Sequence, residues 1–324
     1  MTSSTSAADD TITVLVNHPS PDEYVALIGK RFPGLRVLSA KDAATLNHHV
    51  AMADVLLAPR FPVEVFDKAR RLRWFQCSNA GIDSILPIRD CIGDLIVTNA
   101  RGMHGELIAD FVMAGMTMMH WDFPRLMREQ SRKEWHPREV SPLAERTLGV
   151  VGLGSIGSAI VRRGKSAGMT VLGSKRDVGA PIVDVDRLFP PDRLAELLEL
   201  SDFVVLAVPN IPETRKLIGC KQLRLMRRTA FLINIARGSV VAESELIDAL
   251  RAGTIAGALL DVFEREPLPA DSALWAMPNV ILTPHIAGNP TGYTLRLFEM
   301  FGDNLQRFLE KKPLRNVVDV RRGY

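Results

Sequence analysis

Three polar residues stand just beyond three apolar runs. Arg237 follows Phe231–Asn234, Glu266 follows residues 256–261, and His285 follows residues 280–283. An imidazole titrates near neutral pH and can give or take a proton. A neighbouring carboxylate orients the ring and favours its charged form. A guanidinium grips a carboxylate or carbonyl oxygen through its forked donors. Together these groups suit a carbonyl flanked by a carboxylate, where carbon receives a hydride and oxygen a proton. Each residue alone has a plainer explanation: a capping arginine, a surface glutamate, a histidine that satisfies a core. Three of them at consecutive strand ends of one parallel sheet, the edge where such sheets bind ligands, argue for the chemistry.

A hydride needs a carrier, and Leu148-Gly-Val-Val-Gly-Leu-Gly-Ser-Ile-Gly157 has the spacing to hold one. The pattern G-x-G-x-x-G is weak alone, but here it directly follows an apolar strand and opens a helix. Gly152 permits a tight turn, Gly154 lets backbone N–H groups approach a pyrophosphate, and Gly157 allows close helix–strand packing. Ser155 and Ile156 belong to the helix start that faces the phosphates. The next strand selects the cofactor. NAD sites usually end this strand with an acid, whereas here Ser174 is followed by Lys175 and Arg176, which suit the 2′-phosphate of NADP. NADP is the expected cofactor, with NAD through Asp177 as the alternative.

These residues need a scaffold, and the rest of the chain supplies one. Strand-like runs at 148–152, Thr170–Ser174, 203–208, Phe231–Asn234, 256–261 and 280–283 alternate with helical stretches such as 157–167, 193–200 and 243–252. Mostly continuous apolar strands separated by helices imply a parallel sheet covered on both faces. An earlier set, 11–16, Pro21–Arg31, Val55–Ala58 and Trp74–Cys77, reads as a smaller α/β unit. The Met-rich stretch 106–121 is expected to be a buried helix that joins the units or meets a second subunit. The amphipathic stretch 294–310 is expected to return to the first unit.

Bulk properties narrow the partners. With 324 residues, two domains are expected. A formal net charge of +3 with scattered arginine doublets is too small to imply a nucleic-acid or membrane partner, and neither is expected. Three widely spaced cysteines without a C-x-x-C pair point to a reducing compartment and no structural metal. The N-terminus lacks a basic, then apolar, leader, and no run is long enough to span a membrane, so a cytoplasmic location is expected.

Gly152–Gly157, Asn234-Ile-Ala-Arg-Gly238, Leu260-Asp-Val-Phe-Glu-Arg-Glu-Pro267 and Thr283-Pro-His-Ile-Ala-Gly288, in this order, resemble the motifs of the D-isomer-specific 2-hydroxyacid dehydrogenases. The resemblance extends over most of the chain, including Ala207-Val-Pro209 and Pro313-Leu-Arg-Asn-Val-Val. It implies His285 as the acid/base, Glu266 as its partner and Arg237 as the substrate anchor. Asp261 would hold the nicotinamide amide, and Val208, Pro209, Ile235, Ala236 and Gly288 would line the cofactor cleft together with Arg237 and His285. Ser78-Asn-Ala-Gly-Ile-Asp83 is similar to the family's substrate loop, which implies that backbone N–H groups of Asn79, Ala80 and Gly81 bind the substrate carboxylate beside Arg237 and His285.

The implied fold is α/β, two Rossmann-like or flavodoxin-like domains with parallel sheets. Residues 1–99 and 290–324 would form the substrate domain, and 100–289 would be inserted as the cofactor domain. A homodimer is implied as well. The basic turn 174–176 is like that of NADP-using glyoxylate and hydroxypyruvate reductases, so a small 2-oxo or 2-hydroxy acid is the expected substrate. Asp110 replaces a glutamate common in the family, a change expected to be structural, and His104 receives no role. Two rivals remain. Formate dehydrogenases share the fold but typically carry glutamine in place of Glu266. Some relatives act as cofactor-sensing co-repressors or scaffolds with little turnover.

Overall fold

The computed structural model describes residues 11–179 and 181–323. The chain divides into two compact units, Met1–Met103 with Thr291–Tyr324, and His104–Pro290. The first opens with β1 (Thr13–Val16), α1 (Pro21–Arg31), β2 (Arg36–Ser39), α2 (Ala43–His49), β3 (Val55–Ala58), β4 (Trp74–Cys77) and β5 (Ile96–Thr98). Among the described residues these strands form one parallel sheet in the order β2-β1-β3-β4-β5. β1, β3 and β4 are buried at every position, as central strands covered on both faces must be. Helix α1 starts at Pro21 with Asp22 and Glu23 in its first turn and ends with Lys30 and Arg31, an arrangement that matches its macrodipole.

The second unit begins with α3 (Gly105–His120) and α4 (Phe123–Arg132). It continues through β6 (Thr147–Val151), α5 (Ser155–Ser166), β7 (Thr170–Ser174), β8 (Arg187–Phe189), α6 (Leu194–Leu200) and β9 (Phe203–Leu206). After these come α7 (Cys220–Leu225), β10 (Phe231–Asn234), α8 (Glu243–Arg251), β11 (Gly257–Leu260) and β12 (Val280–Leu282). Its sheet is parallel, in the order β12-β11-β10-β9-β6-β7-β8. Strand order reverses between β6 and β9, so the carboxyl ends of those two strands flank the crevice where such sheets take ligands. The chain then returns to the first unit through α9 (Tyr293–Leu309), whose Leu297, Phe298, Phe301 and Leu305 pack with Val14, Tyr24 and Trp74.

Both sheets fasten their amino edges with the same device. The buried Asp54 carboxylate accepts from the N–H of Thr13 at 2.9 Å and pairs with Arg71 and Arg73. Asp202 likewise accepts from Thr147 at 2.9 Å and pairs with Arg227 at 2.8 Å. These carboxylates are consumed by strand starts, which leaves the carboxyl edges for chemistry.

The Met-rich stretch forms the helix expected of it, α3. One face of α3 is buried in its own unit: Ile108, Ala109, Val112 and Met116 join the core with Ala159 and Ile160 of α5 and Leu259 of β11, while Leu107 on another face is exposed. A Cβ on Gly115 would lie 2.2 Å from Leu259 Cδ2, which shows how closely α3 meets β11. Further exposed apolar groups follow α3 at Trp121, Phe123, Met127 and Trp135. No helix among the described residues is long and apolar enough to cross a membrane.

Candidate active site

Within the second unit, Gly152 follows β6 with φ of 98°, and a Cβ there would lie 2.6 Å from the carbonyl oxygen of Ala207, beyond β9. Only glycine serves at such a position. A Cβ on Gly157 would lie 1.9 Å from the Gly152 oxygen, so α5 is seated directly on the turn. Gly154 meets nothing within 4 Å and is exposed beside Ser155. Helix α5, twelve residues long, therefore begins on an open, glycine-walled concavity with its first N–H groups outward. Ser174 is buried at the end of β7, Lys175 is half-buried and Arg176 exposed. Asp177 turns its carboxylate onto the N–H of Gly179 at 3.0 Å. This concavity with two following cations fits a phosphorylated dinucleotide.

The turn after β10 is tied by Asn234, which accepts from Ala236 N–H at 3.1 Å and donates to the Arg237 carbonyl at 2.9 Å. Ile235 and Ala236 are buried, and the half-buried Arg237 donates through Nη1 to the Ala236 carbonyl at 2.7 Å. A Cβ on Gly238 would lie 1.8 Å from the carbonyl carbon of Phe263. The Arg237 turn is thereby pressed onto the segment that leads to Glu266. Glu266 uses one oxygen to accept from Phe263 N–H at 3.1 Å and the other to meet His285 Nδ1 at 2.8 Å. An ionised carboxylate only accepts, so Nδ1 carries hydrogen and Nε2 is left for proton exchange. The two side chains keep 48% and 36% of their surface exposed, so the pair is open to a ligand.

His285 itself adopts φ of 54°, a left-handed conformation that costs a non-glycine residue about 1–3 kcal/mol. Asp261, only 2% exposed, holds it there. One oxygen accepts from Thr283 Oγ1 at 2.6 Å and Ile286 N–H at 2.9 Å, and the other from Ala287 N–H at 3.0 Å. The carboxylate that the resemblance gives to the nicotinamide amide thus also fastens the turn carrying the histidine. Val208 and Pro209 are half-buried after β9, and the Pro209 carbonyl accepts from Thr214 at 2.6 Å. Gly288 lies against Ile108 and His104, whose nearest atoms would be 3.5 and 3.6 Å from an added Cβ. A cleft of about 290 Å³ opens at the amino edge of this sheet, lined by His120, Arg146, Asp202 and Phe231, away from the strand ends that carry these turns.

In the first unit, Ser78–Gly81 follows β4 and is laced to its surroundings. Asn79 donates through its side chain to the Pro59 carbonyl at 3.1 Å. The carbonyls of Ser78, Asn79 and Ala80 accept from Tyr293 Oη, Ala100 N–H at 3.0 Å and Asn99 Nδ2 at 2.7 Å. The single Cys77 S–H lies within reach of the carbonyls of Pro59 and Gly81, each 3.4 Å from Sγ. Beneath the loop, Trp74 Nε1 donates to Thr98 at 2.7 Å and Thr98 to Gln76 at 2.8 Å, which fixes the strand end.

Residues 113–287 match the family model for the NAD-binding domain of D-isomer-specific 2-hydroxyacid dehydrogenases, a stretch that lies wholly in the second unit. The chain is 37% identical over 278 residues to a glyoxylate reductase of Korarchaeum cryptofilum, covering 82% of this chain and 81% of that protein. The chain belongs to the D-isomer-specific 2-hydroxyacid dehydrogenase family. It is an NAD(P)-dependent oxidoreductase of 2-hydroxy acids. Among solved members, one from Xanthobacter autotrophicus in complex with NADPH and MES superposes with a TM-score of 0.86 at 33% identity, over 96% of this chain and 99% of that one. An NADPH-dependent glyoxylate/hydroxypyruvate reductase from Sinorhizobium meliloti, with NADP and sulfate, gives 0.87 at 27% identity, over 97% and 100%.

In this dehydrogenase the sequence points to candidate site residues but not to the groups that hold them. Thr283 carries one faint signal, a hydroxyl at the end of the run before His285. Asn234 sits inside a quoted motif and still receives no role there. Asn99 and Tyr293 carry no signal, because they come from separate segments and meet the loop only in the fold, and Cys77, though it directly precedes the loop, reads as the last apolar residue of β4. Asp110 binds Arg163 at 2.9 Å and so links α3 to α5, the structural role expected of it.

Proposed function

We propose that this dehydrogenase reduces a small 2-oxo acid, such as glyoxylate or hydroxypyruvate, to the D-2-hydroxy acid with NADPH. The observation that carries the reading is the His285–Glu266 pair at 2.8 Å beside the Arg237 turn, all at the carboxyl edge of the dinucleotide sheet. When bound, the dinucleotide supplies the hydride. Gly152, Gly154, Ser155, Ile156 and Gly157 would hold its pyrophosphate, and Ser174, Lys175 and Arg176 its 2′-phosphate. Val208, Pro209, Ile235, Ala236, Asp261 and Gly288 would border the nicotinamide.

His285 Nε2 gives its proton to the substrate carbonyl oxygen as the alkoxide develops, and Glu266 steadies the imidazolium until then. Arg237 draws charge toward the same oxygen and grips the carboxylate. The N–H groups of Asn79, Ala80 and Gly81 hold the remaining carboxylate oxygen. Residues 1–99 with 290–324 act as the substrate domain and 100–289 as the cofactor domain. The names of the relatives, glyoxylate reductases, and the NADP(H) carried by solved members support substrate and cofactor.

The reading extends to a homodimer in the cytoplasm. Trp121, Phe123, Met127 and Trp135 are 41–90% exposed within a short stretch, apolar surface that a partner subunit would cover. The test is NADPH and NADH oxidation followed with glyoxylate, hydroxypyruvate and pyruvate. Turnover of the first two with NADPH is expected. No turnover of any 2-oxo acid with either cofactor would replace the reading by that of a cofactor-sensing binding protein.

A further inference from the structure

A trans peptide unit is rigid, with the C=O of one residue and the N–H of the next pointing in opposite directions. Whatever captures a carbonyl therefore aims the following N–H the other way. Along Ser78–Gly81 this happens three times in succession. The Ser78 carbonyl is taken by Tyr293 Oη, the Asn79 carbonyl by the N–H of Ala100 at 3.0 Å, and the Ala80 carbonyl by Asn99 Nδ2 at 2.7 Å. The N–H groups released by these three captures are those of Asn79, Ala80 and Gly81. Among the described residues no acceptor is bonded to any of the three. Successive backbone N–H groups without acceptors are the raw material of an anion-binding concavity.

The holders have the character this requires. Asn99 is 3% exposed and Cys77, whose S–H lies within reach of the Gly81 carbonyl, is fully buried. Burial pushes the Tyr293 phenol well above its ordinary range, so it remains a neutral donor at every working pH. Tyr293 is also the first residue of α9, which is anchored in the core through Leu297, Phe298 and Phe301. Its hydroxyl is therefore held by a packed helix, not by a mobile loop.

We infer that Tyr293 and Asn99 are positioning residues for the reaction, each aiming one backbone N–H at the substrate carboxylate: Tyr293 that of Asn79, and Asn99 that of Gly81. The inference rests on the reading of Ser78–Gly81 as the carboxylate seat. Without the phenol, the 78–79 peptide is free to rotate and can turn a carbonyl oxygen toward the anion in place of the N–H. Tyr293→Phe removes one oxygen atom and leaves the ring packing in place. It is expected to raise KM for glyoxylate about tenfold, the value of one hydrogen bond to a charged group, with kcat changed less than twofold and NADPH affinity unchanged. Asn99→Ala is expected to act in the same direction.

The closing experiment records amide resonances of the NADPH complex as oxamate, an isostere of pyruvate, is added. In the wild-type enzyme the amides of Asn79, Ala80 and Gly81 should shift. In Tyr293→Phe the response of Asn79 should shrink most, and in Asn99→Ala that of Gly81. If wild-type amides ignore oxamate, the carboxylate seat is wrong and the inference falls with it. If they respond, but Tyr293→Phe keeps both KM and the Asn79 response, the seat stands and the positioning role is overturned. Should Asn99→Ala fail to fold, Tyr293→Phe decides alone.

Discussion

After β4, the stretch Ser78–Gly81 offers backbone N–H groups and is secured by side chains, those of Tyr293, Asn99 and Cys77. After β12, the stretch 283–288 offers a side chain, His285, and is secured through its backbone, with Ile286 and Ala287 donating to Asp261. The two loops exchange the roles of backbone and side chain. A proton donor has to be a particular residue type, because only a few side chains titrate near neutrality. An anion seat needs only N–H groups, which nearly every residue has, so its specificity moves to the groups that orient the peptide planes.

The sharpest way to break this comparison is at the side chain itself. His285→Ala is expected to lower kcat for 2-oxo acid reduction about a thousandfold, within the range typical of a lost general acid. NADPH affinity should stay within about twofold. Steady-state rates and a fluorescence titration of NADPH check both. A retained kcat would remove His285 from the chemistry and leave the Glu266 pair as a surface contact.

The same contrast explains what could be read in advance. His285, Glu266 and Arg237 stand out because the chemistry proposed for them is carried by residue type, and Gly152 and Gly157 because no other residue fits beneath the Ala207 and Gly152 carbonyls. The central strands were legible as well: β6, β9 and β10 are almost wholly buried, and burial on both faces writes a continuous apolar run. β2, β5 and β8 escaped notice. All three are edge strands, each begins on an exposed residue, and their sequences Arg-Val-Leu-Ser, Ile-Val-Thr and Arg-Leu-Phe are too short to show a pattern. α4 was hidden for another reason. Its Phe-Pro-Arg-Leu-Met-Arg-Glu-Gln-Ser-Arg sequence is mostly polar, and only Glu129, paired with Arg125 at 2.6 Å, is buried.

A smaller effect is expected where backbone secures side chain. Asp261→Asn keeps the volume but replaces one of two acceptor oxygens by a donor, which then faces an N–H or hydroxyl of the His285 turn. The loss of a buried charged hydrogen bond is worth about 1.5–3 kcal/mol, so kcat should fall about 10- to 100-fold. A role on the turn predicts this fall at unchanged NADPH affinity, whereas a role confined to the nicotinamide amide predicts weakened cofactor binding. Thr283→Val, which keeps the backbone and removes only the hydroxyl that binds Asp261, sharpens the result: a several-fold drop in kcat is expected from the turn role and none from the other.

The smallest effect falls on residues whose type is legible but whose setting is open. Lys175 and Arg176 follow β7 at half-buried and exposed positions, so any phosphate they grip is screened by solvent and salt. Changing both to alanine should raise KM for NADPH about tenfold at low ionic strength and leave KM for NADH almost unaltered. The NADPH penalty should shrink as salt is added, because screening weakens the wild-type contact itself. The His285 and Asp261 variants act at fixed, short-range hydrogen bonds and should show no such salt dependence. Equal penalties for the two cofactors would move the ribose contact to Asp177, whose carboxylate would first have to leave the Gly179 N–H that now holds it.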